Sequence, residues 1–205
     1  MKTIIKFLFT LLILFAFSCS QESTQDPLPA DLDGVSAKTN SKATLDVSGA
    51  IGESGVEGSA TLHRNKNGIT VNVKTSGLTP GYAYTLWIVA FNNQDGVCDP
   101  TGCTPGDSVD AKAEIMYGAG HVVGGSGKGN FSAHLNENDV SGSVNVEHFE
   151  IPTVGGMMDA QKAEIHVVVR CHGPAIPGMI KEQIQSYDGG CDMYECNDVW
   201  FGIFL

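Results

Sequence analysis

The chain has 205 residues, 42% of them hydrophobic and 17% charged, which is enough for one well-buried domain and too little for two large ones. Against 23 Asp and Glu stand only 12 Lys and Arg, which argues against a nucleic-acid partner, since phosphate recognition needs clustered cations. The 25 glycines beside 8 prolines fit neither a collagen nor a disordered chain, and they predict a turn-rich β domain.

The first eighteen residues carry Lys2 and Lys6, then an apolar run from Phe7 to Phe17 broken only by Thr10. That run is too short to span a bilayer and predicts a secretory signal peptide over 1–18. Phe17-Ser18-Cys19-Ser20 resembles a lipobox, with Phe17 in place of the usual small residue. The resemblance implies an N-terminus lipidated at Cys19 and a domain tethered to the outer membrane through that anchor alone. Plain secretion after cleavage nearby is the alternative. Residues 19–42 are rich in Gln, Ser, Thr, Asp and Pro without a sustained period, and they predict a flexible stalk.

From Ala43 to Leu205 the sequence predicts a single β-sandwich of eight or nine strands with one short helix, a β-barrel being the alternative. Strands are expected at Ala43–Ser48, Ser59–Arg64 and around Ile69, Val71 and Val73, whose alternation with Thr70, Asn72 and Lys74 puts three β-branched residues on one face. Asn67-Gly68 signals the turn before the last of these. Tyr82–Phe91 is apolar almost throughout, the pattern of a central strand. Further strands are expected at Ala113–Tyr117, His121–Val123, Asn130–Asn136, Gly142–His148, Ala163–Cys171 and Val199–Leu205. The run Gly124–Gly129 superficially resembles a phosphate loop, but it precedes a strand rather than a helix and is expected to be a hairpin turn. Ile176, Met179, Ile180 and Ile184 recur at helical spacing and predict the helix over Ile176–Ser186, with Pro177 in its first turn. There is also an internal echo: Asp110-Ala111-Lys112-Ala113-Glu114-Ile115 against Asp159-Ala160-Gln161-Lys162-Ala163-Glu164-Ile165, a pattern that two paired strands would explain as well as chance.

Of the 6 cysteines, Cys19 belongs to the leader junction, which leaves an odd number in the domain. Cys98 with Cys103, and Cys191 with Cys196, are each five apart, and export makes two local disulfides the economical reading. A four-cysteine zinc site is the alternative, at a spacing longer than that of the usual knuckle. Cys171 is then left over, on the apolar face of its strand, as a core residue or as a thiol beside His172.

Gly77-Leu78-Thr79-Pro80-Gly81 resembles the turn of chordin-like (CHRD) domains and, more distantly, of copper-zinc superoxide dismutases, both antiparallel sandwiches. In the dismutases the next strand carries copper-binding histidines. Here it reads Tyr82-Ala83-Tyr84-Thr85-Leu86-Trp87, which removes the ground for dismutase chemistry. Tyr84-Thr85-Leu86-Trp87, Gly120-His121-Val122-Val123-Gly124 and His172-Gly173-Pro174-Ala175-Ile176-Pro177-Gly178 are similar to motifs shared by a group of uncharacterised exported bacterial proteins, a likeness that runs from about Gly77 to the C-terminus and implies no activity.

Three functions from different classes are compatible with these residues. The first is a non-catalytic tethered binding or structural module that meets a protein or glycan partner through its loops, with Asn92, Asn93, Asp95 and Trp87 as candidate ligand-binding residues. The second is a copper or zinc protein, redox-active in one version, built on His121, His166, His172 and Cys171, with Met179 a further donor. His166 and His172 lie about 20 Å apart along an extended strand, so only a bend or separate partners would make both of them ligands. Asp95, Asp99, Asp107 and Asp110 offer calcium a weaker site. A remote third is a glycan-acting enzyme using two of Glu147, Glu150 and Glu164; no esterase elbow or zinc-protease motif is present.

Overall fold

The computed structural model describes residues 39–42, 45–46, 55–144 and 153–205. Cys19, the signal peptide, most of the stalk, and the stretch holding Glu147, His148 and Glu150 lie outside the described residues. The strands are β1 (Thr39–Lys42), β2 (Leu45–Asp46), β3 (Glu57–Asn65), β4 (Gly68–Ser76), β5 (Tyr82–Phe91), β6 (Ala113–Val122), β7 (Gly129–Asn136), β8 (Glu164–Pro174) and β9 (Asn197–Phe204), with one helix, α1 (Ile180–Gln185), between the last two. They form two antiparallel sheets, β1-β3-β4-β7 and β2-β9-β8-β5-β6. Neither sheet closes on itself, so the architecture is a sandwich. The first strand begins earlier than expected, since Thr39–Lys42, assigned to the stalk by composition, pair with β3.

Period-two alternation builds the inter-sheet core. Ile69, Val71 and Val73 of β4 are buried there with Leu62, Phe131 and Ala133 from the same sheet. Leu86, Ile88, Ala90, Ile165, Val167 and Val169 face them from the other sheet. Each of the larger of these side chains contributes about 1.5–3 kcal/mol relative to exposure. β5 lies between β8 and β6, and its continuous apolarity has a second cause. Its other face carries Trp87 and Phe91 into a smaller cluster with Cys103, Ala111, Ala113 and Ile115, joined by Tyr117 and Tyr187. The five-stranded sheet is therefore covered on both faces, outside by the 92–112 connection and by the chain around Tyr187.

Two glycine segments behave differently from expectation. Gly118-Ala119-Gly120 does not split a strand, because β6 runs through it. Pairing with β5 slips at Leu86/Trp87, with Leu86 opposite Ala119 and Trp87 opposite Tyr117, leaving Gly118 as the extra residue of a β-bulge. A Cβ on Gly118 would lie 2.9 Å from the Leu86 carbonyl oxygen. Gly124–Gly129 is not a hairpin either, because β6 and β7 belong to different sheets and the segment turns the chain from one layer to the other. The echoing segments do flank β5, but one residue out of step. Glu114 pairs with Ala90 and Glu164 with Phe91, so Ile115 joins the outer cluster and Ile165 the inter-sheet core.

The helix is shorter than the apolar spacing suggests. Pro177 lies in the turn before it, Met179 is the N-cap, and Gln183 is the buried residue of α1. Met179 and Ile180 are exposed. The helix lies over β5 and β6, where the Thr85 hydroxyl donates to the Ile184 carbonyl at 2.8 Å, and its buried Gln183 reaches backbone polar groups at the end of β8.

Candidate functional site

The expected metal ligands are dispersed by the sheet. Tyr84 of β5 pairs with His121 on one side and Cys171 on the other. Cys171 is in the inter-sheet core, forms no disulfide, and its sulfur accepts from the Gly173 N–H at 3.4 Å. His121 stacks on Phe131 with ring centroids 4.7 Å apart, and burial lowers its pKa. Burial first, and Cys171 next, push the Tyr84 phenol up to about 12, while its oxygen accepts from the Thr79 N–H at 3.0 Å. His166 and His172 alternate with Cys171 along β8 and emerge on the opposite, outer face, at its two ends. The four residues therefore do not converge on one ion.

At the first end of the outer face, His166 Nε2 bonds the Glu164 carboxylate, whose Oε1 also accepts from the Cys103 N–H at 2.7 Å. Phe91 and Phe201 lie against the imidazole, with centroids at 4.7 Å and 5.1 Å. The Cys98–Cys103 disulfide, with Cα atoms 4.7 Å apart, is thereby held onto the sheet. A carboxylate–imidazole pair is chemically capable of proton transfer. Here both side chains are buried, which suits fixing the loop.

The candidate ligand-binding residues also turn inward. Asn92 donates to the carbonyls of Lys112 at 3.0 Å and Gly156 at 3.1 Å and accepts from the Met158 N–H at 2.7 Å. Asn93 donates to the Asp110 carbonyl at 3.3 Å. Trp87, 1% exposed, packs against Tyr117 and Tyr187 at 5.9 Å and 5.4 Å. Of the four, Asn93 and Asp95 are exposed to solvent.

The second end of the outer face has a groove. His172 is fully buried, and its Nδ1 lies 2.9 Å from the Gly189 carbonyl oxygen. A carbonyl only accepts, so Nδ1 carries the proton and Nε2 holds a lone pair. Nε2 is buried with no hydrogen-bond partner. Burial pushes the His172 pKa down to about 4, partly offset by the Gly189 bond. Gln183 of α1 donates to the carbonyls of His172 at 2.9 Å and Pro174 at 2.8 Å and accepts from the Ile176 N–H at 3.0 Å. Gly189 presses so closely on α1 that a Cβ would meet the Glu182 carbonyl oxygen at 2.5 Å. Beyond it the Cys191–Cys196 disulfide, with Cα atoms 5.2 Å apart, closes the loop. Arg170 secures the underside. It bonds Asp198 at 2.9 Å, approaches Asp188 at 3.6 Å and lies 4.3 Å over the Tyr187 ring.

Beside these parts, along residues 185–190 and against Val144, lies a groove of about 440 Å³. Met179 and Met193 stand on its walls, and Glu182, Asp188 and Asp192 are among its acids. A ring nitrogen of His172 and the sulfurs of Cys191 and Cys196 lie within 4.8 Å of one another, although the sulfurs are joined. The spacing of the cysteines signalled their disulfide. Nothing in the sequence signalled that His172 would meet it, because Cys171 is its nearer cysteine in the chain and lies on the other face. Comparison of the chain with protein-family models, with curated proteins and with solved structures finds no match. Among the described residues no helix is long and apolar enough to cross a membrane, and the two disulfides fit an oxidising, exported environment.

Proposed function

We propose that this chain is an exported, membrane-tethered binding module without a reaction of its own, and that its partner surface is the groove between α1 and the Cys191–Cys196 loop. One observation carries the reading: Met179 and Met193, 38% and 54% exposed, line a groove whose walls are pinned by a disulfide and by Gln183. Methionine on a rigid frame presents adaptable apolar contact at little ordering cost. Glu182 and Asp192 are not engaged by Arg170 in the way Asp188 and Asp198 are, so the acidic rim favours a partner segment that mixes apolar side chains with Lys or Arg. The lipobox-like sequence at Cys19 supports tethering, and the acidic composition of the chain supports a cationic protein partner over a glycan.

The test is a titration of the isotope-labelled oxidised protein, followed by NMR, with an amphipathic Lys/Leu model peptide and with its Glu/Leu counterpart. Saturable shifts at Glu182, Gly190 and Met193 with the cationic peptide are expected. They should weaken at least about tenfold, or 1.4 kcal/mol, in Met179→Asp/Met193→Asp. Equal response to both peptides, or shifts elsewhere, would remove the groove from the reading. Tethering is checked separately, by incorporation of labelled fatty acid into the wild-type chain and not into Cys19→Ala.

A further inference from the structure

We infer that reduction of the Cys191–Cys196 disulfide turns the loop beside this groove into a binding site for a thiophilic d10 cation, zinc foremost, held by the two cysteine sulfurs and a ring nitrogen of His172. This goes beyond the partner reading and does not depend on it.

Three independent features meet here. First, the three ligand atoms already lie within 4.8 Å of one another. A tetrahedral zinc ion with its usual bond lengths separates sulfur and nitrogen ligands by roughly 3.5–3.8 Å, so once the bond is broken the two sulfurs part by roughly 2 Å and the histidine nitrogen closes in by up to about 1 Å. The cysteines are only half-buried and the residues between them are exposed, which gives that movement room. Second, His172 is fully buried, and its Nε2 has no hydrogen-bond partner. A lone pair in that setting costs desolvation with no return, and a cation would supply the return. Third, the other ring nitrogen is anchored on the Gly189 carbonyl at 2.9 Å, the outer contact that ordinarily fixes a metal-binding histidine in orientation and tautomer. The four-residue gap between the cysteines also lies within the range of cysteine pairs in zinc sites.

The chemistry balances with a dithiol as reductant. Its two thiol protons and two electrons pass to Cys191 and Cys196, the disulfide bond breaks, and the dithiol closes to its own disulfide. The cation then binds both sulfurs as thiolates and releases two protons, with His172 entering as the neutral base. A water molecule takes the fourth position. In the oxidised form neither sulfur is a thiolate, so the disulfide and the cation exclude each other. Two sulfurs and one imidazole favour zinc or copper(I) over hard cations.

The experiment uses the detergent-solubilised full-length protein, oxidised or reduced with a phosphine that leaves no competing thiol, and cobalt(II) as a spectroscopic stand-in for zinc. Thiol counting confirms reduction. The reduced protein is expected to bind one cobalt with thiolate charge-transfer and tetrahedral d–d bands, displaced by zinc, while the oxidised protein shows neither. Cys98→Ser/Cys103→Ser should keep the bands, Cys191→Ser/Cys196→Ser should abolish them, and His172→Gln should weaken binding at least about tenfold. If His172→Gln does not fold, the nitrogen is read instead from imidazole signals in the cobalt-bound wild-type protein. Bands in the oxidised chain, bands that survive loss of Cys191 and Cys196, or a fully reduced protein with no bands would each overturn the inference.

Discussion

Replacing Gln183 with Leu tests whether α1 is held by backbone polar groups. The substitution conserves bulk, but it strips two carbonyls, His172 and Pro174, and the Ile176 N–H of their partner. A buried group left without its bond costs about 1–3 kcal/mol. The His172 carbonyl contact is buried while the other two are only partly so, and water reaching them recovers some of the loss. About 3 kcal/mol is therefore expected, a large share of a stability of about 5–15 kcal/mol. Urea unfolding of the oxidised protein measures the loss, and hydrogen exchange at the Ile176 amide, accelerated in the variant, localises it. Gln183→Glu sharpens the test, because the carboxylate still accepts from Ile176 but repels the two carbonyls. Protonation restores a donor, so this variant should be relatively less impaired in acid. A loss below about 1 kcal/mol with unchanged exchange would refute the docking argument.

His172 should make stability pH-dependent. Its folded pKa of about 4 lies below the ordinary 6.5, so the unfolded chain binds the extra proton and stability is lost as the pH falls from 6.5 towards 4, by about 2 kcal/mol near pH 5; against His172→Asn, urea curves across this range should converge on acidification. Gly118→Ala forces a Cβ to within 2.9 Å of the Leu86 carbonyl oxygen and should cost about 1–3 kcal/mol, read as a lower thermal midpoint. Cys191→Ser/Cys196→Ser should cost about 2 kcal/mol by loop entropy, measured by denaturation, and should speed proteolysis between residues 186 and 196 more than elsewhere.

Much of this fold is legible along the chain because the alternation of Ile69, Val71 and Val73 and the continuous apolarity of Tyr82–Phe91 each state how many faces are buried. The cysteine spacings are equally direct, since five residues of chain leave little choice of partner. Other features depend on what lies across the sheet. Gly118 reads as a break when taken alone and is a bulge only because Leu86 and Trp87 slip past it. The apolar positions of 176–186 predict a buried stripe, yet Gln183 is buried, because hydrogen-bonding need at the end of β8 outweighs apolar area. The candidate site was harder still. Strand parity places Cys171 and His172 on opposite faces, but parity cannot say that the chain returns after Ser186 to set a second cysteine pair beside the histidine.

The connection after β7 also seals a margin of the molecule. The Tyr117 N–H donates to the Gly142 carbonyl at 2.7 Å, the Val144 N–H to the Ile115 carbonyl at 2.9 Å, and Met116 bridges Ser143. These bonds occupy the outward backbone groups of Ile115 and Tyr117 in β6, the last strand of its sheet, which would otherwise be a template for a strand from another molecule. Over that stretch an approaching strand finds no ladder to extend, a protection supplied by the chain's own backbone rather than by a repelling charge.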